Sequence, residues 1–169
     1  MNYINTDALP SFKVVPLSLE IVKAIKSNGQ DDFGHEVIEM LATGKGPCRL
    51  SLQPFKVGEE TRLLFKHSPF DIDNVFNQPG PVFVSKADIE PYVDIYRFPP
   101  AIIAEEDIPI TLIGYSEAQM MVYTQRLSHE EKQNIDAVIA QVFKENADVA
   151  FLHARNSEAC CYICKIESV

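Results

Sequence analysis

The most constraining feature of the sequence is a pair of apolar, β-branched and aromatic runs, residues 108–115 and 120–127, separated by only four residues. A link of this length joins two antiparallel strands, whereas parallel strands need a crossover of about a dozen residues or more. Other short runs with strand character occupy residues 12–15, 35–41, 49–52, 60–66, 82–84, 149–156 and 160–166. The sequence therefore predicts a mostly antiparallel sheet.

Two segments carry helix signals instead. In the first, Ser18 can cap a helix, and Asn28-Gly29 can end it because glycine readily adopts left-handed backbone. In the second, Ser128 and Glu131 have the spacing of a capping box, in which each side chain satisfies a free N–H group of the other residue. An apolar stripe follows at helical spacing, formed by Ile135, Val138, Ile139, Val142 and Phe143. We expect the α+β class, with a mostly antiparallel sheet and two principal helices packed on it.

Length and charge narrow the possible classes of protein. The 169 residues predict a single α+β domain over residues 1–169. The net charge is −9, from 15 Lys and Arg against 24 Asp and Glu, and there is no basic run, so we expect no nucleic-acid partner. The first residues lack a secretory signal pattern and no apolar run has the length of a membrane span, which predicts a soluble cytoplasmic protein without membrane association.

The four cysteines suggest chemistry but are interpreted as free thiols. Cys161 and Cys164 have CxxC spacing, yet positions three apart on a strand point to opposite faces. Cys160 and Cys164 would lie about 13 Å apart along an extended chain. A zinc site would need a second pair of ligands, and only Cys48 and scattered histidines remain. With no nucleotide-binding or zinc-peptidase motif either, we predict buried thiols, no metal and no cofactor.

The segment 46–53 places a cysteine beside an arginine. If residues 49–52 form a strand, Cys48 lies on its apolar face, and Arg49 and Ser51 lie on the other. A nucleophilic cysteine needs an electropositive, partly open setting with a base in reach, so a core position for Cys48 is the favoured interpretation. Arg49 is the more interesting residue, because a strand arginine usually pairs with a carboxylate of the protein or of a ligand.

His153 and Arg155 form a second candidate pair. They lie two residues apart on a predicted strand, which puts both on one face about 6.8 Å apart. Such a pair could line a pocket for an anion, or it could be a buried histidine beside an arginine that is ion-paired within the protein. His67 ends another predicted strand at the edge of a loop, where functional side chains often lie.

Several of these segments together resemble a known family, the domain of unknown function 1203. They are Gly46-Pro-Cys-Arg-Leu-Ser-Leu52, Gly58-Glu59, Leu63-Leu64, Ser68-Pro69-Phe70, Gly80-Pro81-Val82-Phe83-Val84 and the stretch from Val149 to Cys161. The resemblance covers the chain from about Gly44 onward and implies one compact bacterial-type domain, with no activity attached. The positions that match the family pattern are Cys48, Arg49, Ser51, Glu59, His67, His153, Asn156 and Cys161.

The sequence departs from this pattern at two positions. The family tends to carry a second histidine two residues after the first in the closing strand, where this chain has Arg155. It also tends to carry an arginine before the tyrosine of the middle strand, where this chain has Gly114 before Tyr115. A metal or histidine-pair mechanism does not fit this chain, because arginine does not ligate metals.

Three functional hypotheses follow. The first is a module that binds a small anionic molecule through Arg49, His153 and Arg155, with Ser51, Tyr115 and Asn156 as polar helpers. The second is a thiol-dependent enzyme with Cys48 or Cys161 as the nucleophile and His67 or His153 as the base. The third is a protein–protein interaction module. The oligomeric state is not predicted.

Overall fold

The computed structural model describes residues 9–169 and contains two antiparallel sheets and a few helices. The N-terminal residues on which the prediction of no secretory signal rests lie outside this range. The elements are β1 (Phe12–Val15), α1 (Leu19–Asn28), β2 (Ile38–Leu41), β3 (Thr61–His67), β4 (Gly80–Ser85), α2 (Pro100–Ile103), β5 (Ile110–Tyr115), β6 (Met121–Arg126), α3 (His129–Gln133), α4 (Ile135–Glu145), β7 (Phe151–Asn156) and β8 (Tyr162–Ser168).

The predicted antiparallel pairing is confirmed, but the strands form two sheets rather than one. The larger sheet has the order β1-β8-β7-β5-β6, and the smaller has the order β2-β3-β4. The predicted hairpin is β5–β6, in which Ile113 pairs with Thr124. Strands take up more of the chain than helices do, so the α+β prediction with two principal helices is only partly confirmed.

Each of the two longer helices packs on a different sheet. The buried face of α4, formed by Ile135, Ile139 and Val142, joins a core with residues of β5, β7 and β8. The buried residues of α1, Val22 and Ile25, belong to a second core with residues of β3 and β4. Cores of this kind supply most of the stability of helices this short.

Both predicted helix starts are confirmed. The Ser18 side chain accepts a hydrogen bond from the Ile21 N–H, and α1 ends at Gly29 with a φ of 65°. The capping box of Ser128 and Glu131 is present in both directions. The helix after it is divided, because Asn134 has non-helical backbone angles and its side chain donates to the Glu130 carbonyl, an alternative to helical bonding that asparagine often adopts.

The predicted strand over residues 49–52 is wrong. This segment is a tight turn in which the Leu52 N–H donates to the Cys48 carbonyl at 2.8 Å and Leu52 has a φ of 53°. The Arg49 N–H donates to the carbonyl of Phe83 in β4, so the segment is fastened to a strand without continuing as one. Cys48, Arg49 and Leu50 are therefore all buried, instead of alternating between two faces.

Other element boundaries differ less. The predicted strand 35–41 is limited to Ile38–Leu41, and the predicted final strand begins at Tyr162 rather than at Cys160. The short helix α2 lies within the proline-rich connection and was not predicted. In the described range, no helix has the length and apolar character that crossing a membrane requires.

We expect Ser128→Ala to lower the free energy of unfolding by about 1 kcal/mol, because the Glu131 N–H loses its capping acceptor. Ser128→Thr is the matched control and keeps the acceptor oxygen. Urea unfolding followed by circular dichroism measures the difference. Equal midpoints for the alanine variant and the parent would contradict this assignment of the cap.

Candidate functional site

The candidate site lies on one face of β7 and its neighbours. His153 and Arg155 of β7 share that face, and Arg155 pairs across the sheet with Tyr162 of β8. On the other side of β7, Phe151 pairs with Tyr115 of β5. Tyr115 and His153 are fully buried, and Arg155 is 6% exposed. We call Tyr115, His153 and Arg155 the polar cluster.

Four aromatic rings surround His153. The ring centroids of Tyr115, Phe70, Tyr162 and Phe151 lie 4.8, 5.0, 5.0 and 5.3 Å from that of His153. Three of these rings come from the large sheet, while Phe70 comes from the segment after β3. The shared face that the His-x-Arg spacing and the strand pattern predict for His153 and Arg155 is confirmed.

The polar cluster contains five buried atoms that form no short, well-aligned hydrogen bond, although the Tyr115 hydroxyl and the Arg155 side chain interact with each other. They are the Tyr115 hydroxyl oxygen, both ring nitrogens of His153, and the Nε and Nη2 atoms of Arg155. The third guanidinium nitrogen, Nη1, donates to the Cys160 carbonyl at 3.1 Å. A buried polar group without a partner costs about 1–3 kcal/mol, so polar groups that lack a good partner here lower the stability of the fold.

Burial and nearby cations keep His153 neutral. Burial is the largest cause that lowers the pKa of His153, to about 2, and the charges of Arg155, Lys165 and His67 act in the same direction. One ring nitrogen of the neutral imidazole is then a donor and the other an acceptor. Burial also raises the pKa of Tyr115, so this phenol keeps its proton, although the charge of Arg155 and its side-chain interaction with the hydroxyl oppose the shift.

Arg49 reaches the same region from the turn before β3. Its Nε donates to the carbonyl of Tyr162 at 2.6 Å, and its Nη1 donates to the carbonyl of Pro47. Burial lowers the pKa of Arg49 to about 10. Within residues 9–169, neither Arg49 nor Arg155 forms an ion pair with a carboxylate.

Two of the predicted polar helpers have local roles. The Asn156 Oδ1 accepts hydrogen bonds from the N–H groups of Glu158 and Ala159, both at 2.9 Å, and so closes the turn between β7 and β8. Ser51 is half-buried in the turn after Arg49, and over the described part of the chain no hydrogen bond joins it to the polar cluster. Tyr115 is the predicted helper that lies in the cluster.

His67 lines a cleft next to the polar cluster. The cleft has a volume of about 400 Å³, and its walls include His67, Phe70 and Tyr162. The rings of Phe70 and Tyr162 also contact His153, so these two side chains separate the cleft from the cluster. Burial is the largest cause that lowers the pKa of His67; Asp32 acts against it, and Arg49 adds to the lowering.

Gln119 fastens the segment that carries Phe70. Its side-chain oxygen accepts hydrogen bonds from the N–H groups of Asp71 and Ile72, and its amide nitrogen donates to the Asp71 carboxylate. Its own carbonyl accepts from the Asn74 side chain at 3.1 Å. Sequence reasoning missed Phe70 and Gln119 as site residues. The available signals were that Phe70 lies in one of the segments that resemble the family and that Gln119 ends the predicted hairpin loop.

The cysteines lie apart from a catalytic arrangement with histidine. Cys48 is buried and its sulfur accepts a hydrogen bond from the Ser85 N–H, and Cys164 is buried in the core of the large sheet. Cys160 is exposed and Cys161 half-buried, so the prediction of buried thiols is wrong for these two, because the chain turns there with a φ of 60° at Cys160 before β8 begins. No hydrogen bond joins a cysteine sulfur to a histidine in the range 9–169.

The residues described in the structure include no group of three or more His, Cys, Asp or Glu side chains arranged to hold a metal ion. The chemistry that the site does offer is hydrogen bonding and positive charge. Arg155 supplies the cation of the polar cluster, and Arg49 is a second buried cation, whose Nε donates to the Tyr162 carbonyl.

Comparison with known proteins identifies the family. The model of a family described as "Protein of unknown function (DUF1203)" matches residues 45–168. The chain therefore belongs to this family, as the sequence motifs predict. Searches for similar curated proteins and for similar solved structures gave no match.

The structure explains how the chain accommodates glycine where the family pattern tends to have an arginine. A Cβ atom on Gly114 would lie 2.8 Å from the Tyr123 Cβ and 3.0 Å from the Val149 Cγ2. Two closely approaching side chains therefore fill the space at this position, and Tyr115 beside it turns toward His153.

We expect stability to fall as the pH drops below 6.5, because the unfolded state takes up a proton on His153 that the folded state does not. The slope contributed by this group reaches about 1.4 kcal/mol per pH unit, and full stability returns above pH 6.5. Urea unfolding between pH 5 and pH 7.5 measures it. His153→Gln should reduce the slope, with part remaining because the pKa of His67 is also lowered. The surface control His129→Gln should keep the parent slope, and an unchanged slope in His153→Gln would contradict the assignment.

Proposed function

We propose that the chain binds a small anionic molecule at the polar cluster of Tyr115, His153 and Arg155. The observation that carries this proposal is the unused edge of the Arg155 guanidinium. Its Nε and Nη2 are buried and form no short, well-aligned hydrogen bond, although the side chain interacts with the Tyr115 hydroxyl. No carboxylate in the described range pairs with this arginine.

The geometry of arginine explains why these two atoms matter. The N–H groups of Nε and Nη2 point in parallel from one edge of the planar guanidinium, and this fork matches the two oxygens of a carboxylate or phosphate. The Cys160 carbonyl occupies Nη1 and so holds the plane of the guanidinium in place. A preorganised fork loses little side-chain entropy when a ligand binds.

An anion would also compensate the charge at this position. A buried cation without an acidic partner is costly, and Arg49 and Arg155 are two such cations. Both are close to Tyr162, because Arg49 donates to its carbonyl and Arg155 is its cross-strand partner. Because two of the Arg49 nitrogens donate to backbone carbonyls, we assign it an electrostatic contribution rather than direct contact. Its second role is to fasten the 46–53 turn to β8.

Entry of a ligand requires movement of the cover over the cluster. Phe70 is the covering ring that lies on a connecting segment rather than on the large sheet, and the cleft lies on its outer side. We propose that a ligand enters from this cleft when Phe70 moves, with the hydrogen bonds of Gln119 holding the closed position. Segments joined by a few exchangeable hydrogen bonds open at low free-energy cost.

The other two hypotheses stay predictions with less support. A thiol-dependent enzyme would need Cys48 or Cys161 close to His67 or His153, and no sulfur–histidine hydrogen bond is found in residues 9–169. Within residues 9–169, we find no feature that points to a particular protein partner. The predicted cytoplasmic location likewise stays a prediction.

The anion proposal is tested by thermal unfolding with acetate or inorganic phosphate, at ionic strength held constant with chloride. We expect at least one of them to raise Tm in a saturable manner, since a ligand that binds only the folded state adds about 2.7 kcal/mol at a hundred times its Kd. Arg155→Gln should abolish the rise. Arg126→Gln, at an exposed position of the edge strand β6, is the control and should retain it.

Two outcomes contradict the proposal. One is that neither anion raises Tm above the chloride reference. The other is that Arg155→Gln retains the parent response. A second variant, Arg155→Lys, keeps the test valid if Arg155→Gln does not fold, because lysine keeps the charge but lacks the guanidinium fork. We expect its affinity for the anion to fall at least tenfold, while its far-UV circular dichroism spectrum stays native.

The thiol hypothesis has its own test, which is the rate of iodoacetamide alkylation of each cysteine, read by mass spectrometry, as a function of pH. We expect Cys160 and Cys161 to react in the native protein, whereas Cys48 and Cys164 react only on unfolding, since burial protects both and raises the pKa of Cys164 to about 12. Fast alkylation of Cys161 with an apparent pKa well below about 8.5, lost in His67→Gln, would support the thiol enzyme instead.

A further inference from the structure

Two neighbouring cysteines lie in the turn between β7 and β8, and the proposed anion site makes no use of their sulfurs. Cys160 is exposed and Cys161 is half-buried, whereas Cys48 and Cys164 are buried, and all four are free thiols. Oxidants reach accessible thiols first, and two accessible thiols on adjacent residues are a dithiol that oxidation converts to a disulfide. The pair Cys160 and Cys161 is therefore a candidate site of oxidation.

The backbone holds both sulfurs over the same turn. Neighbouring residues of an extended strand point to opposite faces, but Cys160 has a φ of 60° and precedes β8, which begins at Tyr162. The Cys160 thiol donates to the Glu158 carbonyl at 3.8 Å. The Cys161 thiol donates to the Ala159 carbonyl at 3.4 Å. Because these two carbonyls belong to consecutive residues, the thiols share one turn instead of lying on opposite faces of a strand.

Both buried arginines lie next to this dithiol. The Nη1 of Arg155 donates to the Cys160 carbonyl at 3.1 Å. Burial is the largest cause that lowers the pKa of Arg49, and the charge of the Cys161 sulfur is the first of the causes that oppose it. The Arg49 guanidinium therefore lies near this sulfur. Cysteines that respond to oxidants are found in partly exposed, electropositive surroundings of this kind.

A disulfide between neighbouring cysteines closes a small ring that includes the peptide group between them. Their α-carbons lie about 3.8 Å apart across a trans peptide, whereas the α-carbons of disulfide-bonded cysteines are usually about 4.4–6.8 Å apart. Closing the ring between Cys160 and Cys161 therefore distorts this peptide group, and a strained disulfide is easily reduced again. The carbonyl of the same peptide group accepts from Arg155, so oxidation acts directly on the hydrogen bond that holds the guanidinium.

We propose that Cys160 and Cys161 are a reversible oxidation site, and that their disulfide form releases Arg155 from the Cys160 carbonyl. The oxidant is hydrogen peroxide. The exposed Cys160 sulfur attacks one peroxide oxygen, the O–O bond breaks, and the thiol proton joins the departing hydroxide, so that a sulfenic acid and one water form. The Cys161 sulfur then attacks the Cys160 sulfur, the S–O bond breaks, and a second water leaves with the Cys161 proton.

The electrons balance in both directions. The two thiols are oxidised to one disulfide, while one molecule of hydrogen peroxide is reduced to two of water. Two molecules of a thiol such as glutathione restore the dithiol by exchange and are themselves oxidised to a disulfide. In a reducing compartment the pair is therefore a dithiol at rest, and the disulfide is transient.

The effect of oxidation on ligand binding rests on the proposed anion-binding function. The Cys160 carbonyl holds the guanidinium plane through Nη1, so its release leaves the Nε and Nη2 edge of Arg155 less well oriented. A fork that is not preorganised loses more conformational entropy when a ligand binds. Oxidation should therefore weaken anion binding without removing any side chain of the polar cluster.

Mass spectrometry on the full chain tests the oxidation site. The reduced protein is treated with hydrogen peroxide, then alkylated with iodoacetamide under denaturing conditions and digested with trypsin. We expect the peptide of residues 156–165, which carries three cysteines, to take up one label, on Cys164, instead of three. Dithiothreitol before alkylation should restore all three. Cys161→Ser should stop at the sulfenic acid of Cys160, which dimedone traps, and the control Cys48→Ala should behave like the parent because it keeps the dithiol.

Three results of this experiment would overturn the site. They are three labels after peroxide treatment, oxidation of the parent to sulfinic acid, and a disulfide that joins two chains or includes Cys164. The readout on the parent protein does not depend on how well either variant folds.

Nuclear magnetic resonance on the reduced and oxidised chain tests the release of Arg155. We expect its Nη1 protons to exchange with solvent at least tenfold faster in the oxidised protein, and the reduced rate to return with dithiothreitol. Arg62 is the control, because it is also buried and donates to the Gly44 carbonyl, which oxidation leaves in place. A disulfide that forms while the Arg155 exchange rate stays unchanged would contradict the release.

The thermal unfolding assay with acetate or inorganic phosphate separates this inference from the proposed function. We expect the anion affinity of the oxidised protein to be at least tenfold lower than that of the reduced protein. Equal affinities in the two forms would overturn the control of the site by oxidation. No response in the reduced protein would count against the anion-binding function, while the oxidation site and the release of Arg155 are decided by their own two measurements.

Discussion

The pairing of β7 with β5 on one side and β8 on the other determines where the three residues of the polar cluster lie. His153 and Arg155 share a face because they are two apart on β7, and the register brings Tyr115 and Tyr162 beside them from the neighbouring strands. The opposite face of β7, with Leu152 and Ala154, belongs to the core under α4. One strand therefore contributes to the apolar core and to the polar cluster through alternate residues.

This arrangement places polar groups where a protein normally has apolar ones. Neither ring nitrogen of His153 and only one guanidinium nitrogen of Arg155 forms a well-aligned hydrogen bond, and this lowers the stability of the fold. Apolar residues at these two positions would not carry that cost. The apolar core between the large sheet and α4 contributes burial that offsets part of this cost. A bound ligand would supply the missing hydrogen-bond partners, and this is the physical basis of the anion proposal.

Much of the local structure follows from sequence patterns. The four-residue link predicts the β5–β6 hairpin, the Ser–Glu spacing predicts the capping box, and the His-x-Arg spacing predicts a shared face, because each signal depends on residues only a few positions apart. The same kind of argument is wrong for residues 49–52. Their apolar alternation is compatible with a strand, but hydrogen bonds to Phe83 and Tyr92 hold them in a turn.

The sequence by itself determined the antiparallel pairing, the two capped helices, the family and the pair His153 and Arg155. Only the tertiary structure decided that Arg49 donates to the carbonyl of Tyr162, 113 residues away. It also decided that the Phe70 ring packs against His153, and that the Gln119 side chain accepts a hydrogen bond from the segment that carries Phe70. Contacts of this range leave no periodicity in the sequence, since they depend on how separate elements pack. For the same reason Arg49 was expected to meet a carboxylate and instead binds backbone carbonyls, and this leaves the free edge of Arg155 as the cationic feature that a ligand could use.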